Sequence, residues 1–339
     1  MILPRLPYFA PVLSLFFLSS GSSLLQAYQG ELGLETPFMT SNLASTTQEL
    51  KSAPVTTGTV DFVVGERVFH TWYRIVGDLK NSKRRPLVTL HGGPGMNYVY
   101  MKPHERLYTE AGIPVVFYNQ IGLRQYPDSP AEFWTVDLYN DELDNLLRHL
   151  GIREDFDLLG HSWGGVFGSD YAATRMHSGL KHLILANTFS SAKLYVSGVE
   201  YWIDQLPPEL SDIKKHPENH TKEERDKADQ IYNNLHICNM NPWPEDLLTS
   251  LAYSNGNSHP EFRMKKRLNS WSVIDVLHNV TCPTLLISSP NDEMWEPCVR
   301  PFFKNIPKCK WVDIQTSTHL PMYEDPEKYF KVLLSFLTE

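Results

Sequence analysis

The sequence predicts an α/β fold in which helices cover both faces of a mostly parallel sheet and an inserted helical cap interrupts the chain. Short apolar segments alternate with helix-like segments over residues 55–189. The alternation stops at about 190 and resumes at 273–339, whereas 190–272 carries helix-like segments and prolines with little strand pattern. An insertion at the carboxyl edge of a parallel sheet lies over the place where such sheets bind ligands.

Each predicted element has a local signal. Apolar segments at 60–64 and 68–75 flank a Gly-Glu pair, which predicts a hairpin. Further strands are predicted at 86–90, 113–118, 156–159, 180–186, 283–288 and 310–314. Helices are predicted at 138–150, which ends at Gly151, from the end of the 156–159 strand through 176, and at 326–337, which closes the domain.

The first 27 residues have the composition of a signal peptide. Arg5 is followed by an apolar stretch at 12–18 and then by small residues, with plausible cleavage after Gly21 or Ala27. The stretch is too short to span a bilayer, so we expect a secreted protein without a stable membrane anchor. The alternative is a disordered or packed amphipathic N-terminus. Residues 28–54 are rich in Ser, Thr and small residues and predict a poorly structured lead-in.

Two sequons agree with secretion, and they make Asn219 and Asn279 candidate glycosylation sites. Sequons also arise by chance in a chain of this length, so their support is small. The four cysteines, Cys238, Cys282, Cys298 and Cys309, allow one or two disulfides, of which the last pair closes the shortest loop. The alternative is four free, mostly buried thiols.

Charge and composition exclude several classes of function. A net charge of −8 disfavours binding to nucleic acid. The cysteines form no C-x-x-C pair, which argues against a zinc site, and we expect no metal and no cofactor. The sequence leaves the oligomeric state open.

The central chemical signal is Gly160-His161-Ser162-Trp163-Gly164-Gly165. It fits G-x-S-x-G between a predicted strand and a predicted helix, the context of the nucleophile turn in the α/β-hydrolase fold. Glycines beside the serine leave room for a strained backbone that exposes Oγ above the sheet. We therefore predict Ser162 as a nucleophile.

A glycine turn, His91-Gly92-Gly93-Pro94-Gly95, follows the 86–90 strand. In this position, backbone N–H groups can stabilise a tetrahedral oxyanion, and the residue after the nucleophile supplies the second donor. The predicted oxyanion hole is Gly92, Gly93 and Trp163.

A serine nucleophile needs a base, and the base needs an orienting carboxylate. Asp292 comes just past the 283–288 strand, where this fold places the acid, and Glu293 is a weaker candidate. His319 follows the last strand and precedes the last helix, the position of the base. The predicted catalytic set is Ser162, Asp292 and His319.

At these residues the chain resembles the proline iminopeptidase family of α/β-hydrolase serine peptidases. The resemblance rests on Thr71-Trp72-Tyr73-Arg74-Ile75-Val76-Gly77, the two glycine motifs above, and Ser317-Thr318-His319-Leu320-Pro321-Met322, and it runs from about Thr71 to the C-terminus. It implies a helical cap after the sixth strand, release of an N-terminal residue from a peptide or amide, and no cofactor.

The chain departs from the family pattern after the fourth strand. The family usually has Asp-Gln-x-Gly-x-Gly-x-Ser, whereas this chain has Asn119 in place of the acid, Arg124 in place of a glycine and Tyr126 in place of the serine. The resemblance also implies that acidic cap residues hold the substrate amine. The candidates, none of which can be aligned individually, are Glu200, Asp204, Glu223, Glu224, Asp226 and Glu261.

Two enzymatic functions remain open at this point. One is an aminopeptidase acting on an N-terminal residue that is proline-like, small or apolar. The other is an esterase, thioesterase, lactonase or amidase that acts on a small metabolite with the same three residues. A non-catalytic binding protein with this fold is disfavoured, because Ser162, Asp292 and His319 are all present.

Overall fold

The computed structural model describes residues 53–122, 125, 129–254 and 270–339. The predicted signal peptide, most of the lead-in, Arg124, Tyr126 and Glu261 lie outside the described residues.

Eight strands form one sheet in the order β1-β2-β4-β3-β5-β6-β7-β8. Strand β2 is antiparallel to β1 and β4, and the remaining neighbours are parallel. The α/β-hydrolase fold predicted from the sequence is confirmed. The strands are β1 Val55–Val64, β2 Arg67–Val76, β3 Leu87–Leu90, β4 Val115–Tyr118, β5 Phe156–His161, β6 Leu180–Ala186, β7 Thr284–Ser288 and β8 Cys309–Asp313.

The middle strands are buried on both faces, as their continuous apolar sequences require. In β4, Val116 and Tyr118 belong to one hydrophobic cluster, and Val115 and Phe117 belong to the other. Side chains alternate across a strand, so each strand contributes to a core on both sides of the sheet.

Helices pack on these two cores. Those of the α/β part are α1 Arg106–Ala111, α2 Val136–Leu150, α3 Trp163–Thr174, α8 Glu296–Asn305, α9 Pro321–Glu324 and α10 Pro326–Leu337, with 3₁₀ turns at Tyr98–Glu105, Ala131–Phe133 and Ile274–Asn279. The helix after Ser162 was predicted to run through Met176 but ends at Thr174. Met176 has φ 45°, a left-handed conformation that does not continue a helix.

Of the segment between β6 and β7, the described residues contain α4 Ala192–Gln205, α5 Pro208–Lys215, α6 Lys222–His236 and α7 Glu245–Ser254, with a 3₁₀ turn at Pro217–Asn219. The two ends of the predicted cap meet at its base. Ser191 and Ser272 form an antiparallel bridge, and the Ala192 N–H donates to the Trp271 carbonyl at 3.0 Å. The segment therefore leaves and re-enters the α/β part at one place.

The four cysteines are free thiols, with Cys238 and Cys298 buried and the other two half-buried. Burial raises the pKa of Cys238 and Cys282 to about 11 in each case. Of the sequence alternatives, the structure therefore has free thiols rather than disulfides. Within the described ranges, no helix has both the length and the apolar composition needed to cross a bilayer.

Candidate active site

Ser162 occupies a sharp turn between β5 and α3. Its φ of 55° and ψ of −124° are strained for a residue with a side chain. The surrounding backbone fixes this turn, because the Ser162 N–H donates to the Ala186 carbonyl at 3.0 Å and its own carbonyl accepts from Gly165 at 2.9 Å. A Cβ on Gly164 would collide with the carbonyl of Leu90, so the turn requires glycine there. The predicted nucleophile thus lies in the sharp strand-to-helix turn that the motif requires, with 5% of the residue exposed.

The structure brings His319 and Asp292 together from the ends of two neighbouring strands. Nδ1 of His319 lies 2.8 Å from Oδ1 of Asp292, and the side chains are 4% and 0% exposed. Burial opposes a charge on the imidazole, but the Asp292 carboxylate outweighs it, so the pKa of His319 is raised. With Nδ1–H donated to Asp292, Nε2 is the nitrogen left to take a proton.

Glu293, the weaker sequence candidate, points elsewhere. It is 1% exposed, and its Oε2 accepts a long hydrogen bond from the Tyr195 hydroxyl at 3.5 Å. Its negative charge is one of the minor causes that raise the pKa of His319. Asp292 is therefore the carboxylate that orients the imidazole, and Glu293 is a second buried acid beside it.

Sequence reasoning missed the groups that hold Asp292. Nδ2 of Asn187 donates to Oδ2 at 2.8 Å, the Met294 N–H donates to Oδ1 at 3.0 Å, and Nε1 of Trp202 donates to the backbone carbonyl at 2.8 Å. Asn187 follows β6 directly. Its position past a strand end was the one signal that could have identified it.

The predicted oxyanion donors differ in availability. The Gly92 N–H donates to the Tyr100 hydroxyl at 2.5 Å, so including Gly92 as a donor was wrong. Gly92 is nevertheless required next to the nucleophile, because a Cβ there would lie 2.9 Å from Cβ of Ser162. The N–H groups of Gly93 and Trp163 remain the predicted donors, and that of Trp163 belongs to the first turn of α3.

His91 orients the peptide that carries the Gly93 N–H. Its Nδ1–H donates to the Gly92 carbonyl at 2.9 Å, and its Nε2 accepts from the Gln120 N–H at 3.1 Å. Burial lowers the pKa of His91 to about 4, so the ring is neutral and can play both roles. The C=O and N–H of a trans peptide point in opposite directions, so anchoring the Gly92 carbonyl fixes the direction of the Gly93 N–H.

A pocket opens beside the nucleophile turn. Its described lining combines aromatic, imidazole and amide groups and includes neither Asp nor Glu; it is formed by His70, Trp72, His91, Pro94, Gly95, Met96, Asn119, Gln120, Ile121, Gly122, Gln125, Tyr139, Trp163 and Tyr253. Oδ1 of Asn119, which replaces the family's acid, accepts from the Tyr98 N–H at 3.0 Å. The Asn119 side chain therefore binds the backbone at Tyr98.

The five described acidic cap residues predicted from the resemblance have surface positions or surface partners. Glu200 and Glu223 are exposed, Asp204 pairs with Lys215, and Glu224 caps α6. Asp226 pairs with Lys222 at 2.6 Å. Across the described part of the chain, no group of three or more His, Cys, Asp or Glu side chains is arranged to hold a metal ion.

Comparison with known proteins identifies the family of the chain. The model of the Alpha/beta hydrolase family matches residues 87–332. A proline iminopeptidase of Clostridioides difficile (strain 630) is 32% identical over 283 residues, which is 79% of this chain and 94% of that protein. One from Elizabethkingia meningoseptica is 29% identical over 306 residues, or 84% and 97% of the two chains. The solved structure of a Mycobacterium smegmatis proline iminopeptidase superposes with a TM-score of 0.74 at 30% identity, covering 83% of this chain and 98% of that one.

Proposed function

Because the chain belongs to the Alpha/beta hydrolase family and, within it, to the proline iminopeptidases, we propose that it is a serine aminopeptidase. Its substrates are small peptides or amides, from which it releases a proline-like, small or apolar N-terminal residue. The observation that carries the proposal is the buried 2.8 Å hydrogen bond between His319 and Asp292. Ser162 has a strained backbone, and the ring of His161, the residue before it, contacts the His319 carbonyl at 2.8 Å.

The reaction follows from the roles of these groups. Oγ of Ser162 attacks the scissile carbonyl while Nε2 of His319 takes its proton, and Asp292 stabilises the resulting imidazolium. The N–H groups of Gly93 and Trp163 stabilise the oxyanion. His319 then returns the proton to the leaving amine, leaving an acyl-enzyme that water hydrolyses by the same steps.

An aminopeptidase also has to bind a free ammonium group, and among the described carboxylates we assign this role to Glu293. It is buried beside Asp292, and Tyr195 of α4 contacts it from the cap. Its charge acts on His319, so it lies within electrostatic reach of the reacting groups. A buried ammonium needs such a partner, because unpaired burial of a charge costs several kcal/mol.

One observation favours the second candidate, an esterase, thioesterase or amidase for a small metabolite. The described lining of the pocket beside Trp163 contains no carboxylate, and Asn119 stands in place of an acid. That pocket suits an uncharged acyl group. The same nucleophile and base would hydrolyse such a substrate without any amine contact.

The test compares prolyl and alanyl arylamides with the same compounds acetylated on the amine, alongside matched acyl esters. The aminopeptidase proposal requires kcat/KM to fall by about 10²-fold or more on acetylation, the scale of a lost buried charge contact. Equal rates on both would reject the aminopeptidase and support the esterase. In either case a fluorophosphonate should label the wild type and not Ser162→Ala.

We also propose that the protein enters the secretory pathway. Support comes from the order of charge, apolar stretch and small residues over residues 1–27. Asn219 is exposed in the 3₁₀ turn that follows α5, where an oligosaccharide would meet no obstruction from the core.

A further inference from the structure

A buried chain of hydrogen bonds connects the glycine turn at 91–95 to the loop that carries His319. Tyr100 Oη accepts from the Gly92 N–H at 2.5 Å and lies 2.9 Å from Nδ1 of His161. The other ring nitrogen of His161 lies 2.8 Å from the backbone carbonyl of His319. Tyr100 and His161 are each 1% exposed, so bulk water does not compete for these bonds.

Chemistry fixes the position of every proton in this chain. A carbonyl only accepts, so Nε2 of His161 carries the proton that the His319 carbonyl receives. The neutral imidazole then has a bare Nδ1, which accepts the hydroxyl proton of Tyr100. The lone pairs of Tyr100 Oη remain for the Gly92 N–H. A single tautomer of His161 therefore satisfies all three hydrogen bonds.

His161 is also suited to stand beside a base that becomes charged. Burial, and secondarily the charge on His319, lower the pKa of His161 well below its ordinary value. The two ring centroids are 4.8 Å apart. A neutral His161 lets His319 take up a proton without a second positive charge next to it, which would be costly in a buried site.

We propose that Tyr100 and His161 are positioning residues that hold the glycine turn and the His319 loop in fixed register around Ser162. The proposal rests on the proposed function, since it assigns these groups to the reaction of that serine. Neither side chain touches substrate in this role. Their loss should slow the chemical step, which depends on sub-ångström placement, and should leave substrate binding nearly unchanged.

The test is Tyr100→Phe, with Tyr329→Phe as a matched control. Oη of Tyr329 lies 2.9 Å from Nε2 of His104, and both residues are 0% exposed, so this control removes an equally buried Tyr–His hydrogen bond. We expect Tyr100→Phe to lower kcat by about ten- to hundredfold more than the control does, the scale of one lost buried hydrogen bond. KM should stay within about threefold, because ground-state binding is not involved.

A second pair of variants and a spectrum test the proton arrangement itself. His161→Gln keeps one donor and one acceptor on the same side chain, whereas His161→Leu keeps a similar volume with neither. The Gln variant should retain clearly more kcat than the Leu variant. In ¹⁵N-histidine NMR, wild-type His161 should show a protonated Nε2 and a bare Nδ1. Tyr100→Phe should shift the Nδ1 resonance, because that nitrogen loses its donor, while Nε2 stays protonated against the His319 carbonyl.

Equal kcat for Tyr100→Phe and Tyr329→Phe would overturn the proposal, and so would a protonated Nδ1 on wild-type His161. Failure of this inference can be distinguished from failure of the proposed function. If Ser162→Ala is inactive while Tyr100→Phe is fully active, only the positioning role is lost. If Ser162→Ala still hydrolyses the substrate and takes up a fluorophosphonate, the nucleophile itself is misassigned.

Discussion

Nδ2 of Asn187 donates to Oδ2 of Asp292 at 2.8 Å, on the opposite side of the carboxylate from His319. The same amide also lies within 3.2 Å of the Ser289 hydroxyl and 3.1 Å of the Thr318 carbonyl. Asn187 thus connects the loop after β7 to the loop after β8. It fixes the plane of the carboxylate that the imidazole has to meet.

We predict that Asn187→Gly lowers kcat by about ten- to hundredfold, because a buried carboxylate oxygen loses its donor. Glycine is the informative replacement. Asn187 has φ 48°, which glycine adopts without strain, so the variant removes the amide and spares the backbone. Steady-state kinetics, with thermal unfolding to establish folding, measure the effect. Unchanged kcat in a folded variant would mean that Asp292 needs no support from this side.

The candidate catalytic positions could be selected from the sequence because of a general property of parallel sheets. Ser162, Asp292 and His319 each follow a strand, and the carboxyl ends of parallel strands meet at one edge. Local patterns were enough to find residues of this kind. The nucleophile turn was equally local, since its glycines flank the serine in sequence.

The supporting residues were not predictable, because their roles depend on contacts between distant parts of the chain. Tyr100 lies within a 3₁₀ turn and meets His161 across sixty-one positions. The same contact shows why Gly92 was misassigned, since nothing in its own motif reveals that its N–H is used by a distant hydroxyl. The resemblance also pointed to cap acids as candidates for binding the amine, and the described ones are surface charges.

The two neighbouring acids should give separable phenotypes. Asp292→Asn should cut kcat by about 10³–10⁴-fold on every substrate, because the imidazole loses its correct tautomer and its charge partner. Glu293→Gln should leave acyl ester hydrolysis nearly unchanged. It should weaken kcat/KM by about 10²-fold only for substrates with a free amine. Parallel assays on a prolyl arylamide and an acyl ester measure both effects, and a uniform loss for Glu293→Gln would contradict its assignment to the amine.

Processing and glycosylation provide a third prediction. In a secretory host, N-terminal sequencing of the product should begin near Ser22 or Tyr28. The two sequons should differ in occupancy, because Asn219 is exposed whereas Asn279 is half-buried and its amide donates to the Ala173 carbonyl at 3.3 Å. Asn219→Gln should therefore remove most of the mass that an endoglycosidase releases, and Asn279→Gln little of it. Recovery of intact, unglycosylated protein beginning at Met1 would contradict secretion.

Glu142 of α2 is a buried acid that positions the loop after β4. Its side chain is fully buried, accepts from the Thr71 hydroxyl at 2.7 Å, and receives the Ile121 N–H at 3.0 Å. Burial raises the pKa of Glu142 to about 8 despite these two donors, compared with 4.5 for the ordinary group. The folded protein therefore holds a proton on Glu142 at neutral pH that the unfolded chain has released.

An acid whose pKa is higher in the folded protein contributes stability that is fully present at pH values below its pKa in the unfolded chain. This contribution is lost as the pH rises toward its pKa in the folded protein. Between pH 4.5 and about 8 the wild type should thus lose stability relative to Glu142→Gln. The expected slope is about 1.4 kcal/mol per pH unit, the value for one proton.

Glutamine is the appropriate reference because it is neutral at every pH and keeps an oxygen for Thr71 and Ile121. Denaturant unfolding of both proteins across this range measures the difference. Parallel pH profiles would show that Glu142 is ionised in the folded protein, and its two donors would then outweigh the cost of burial.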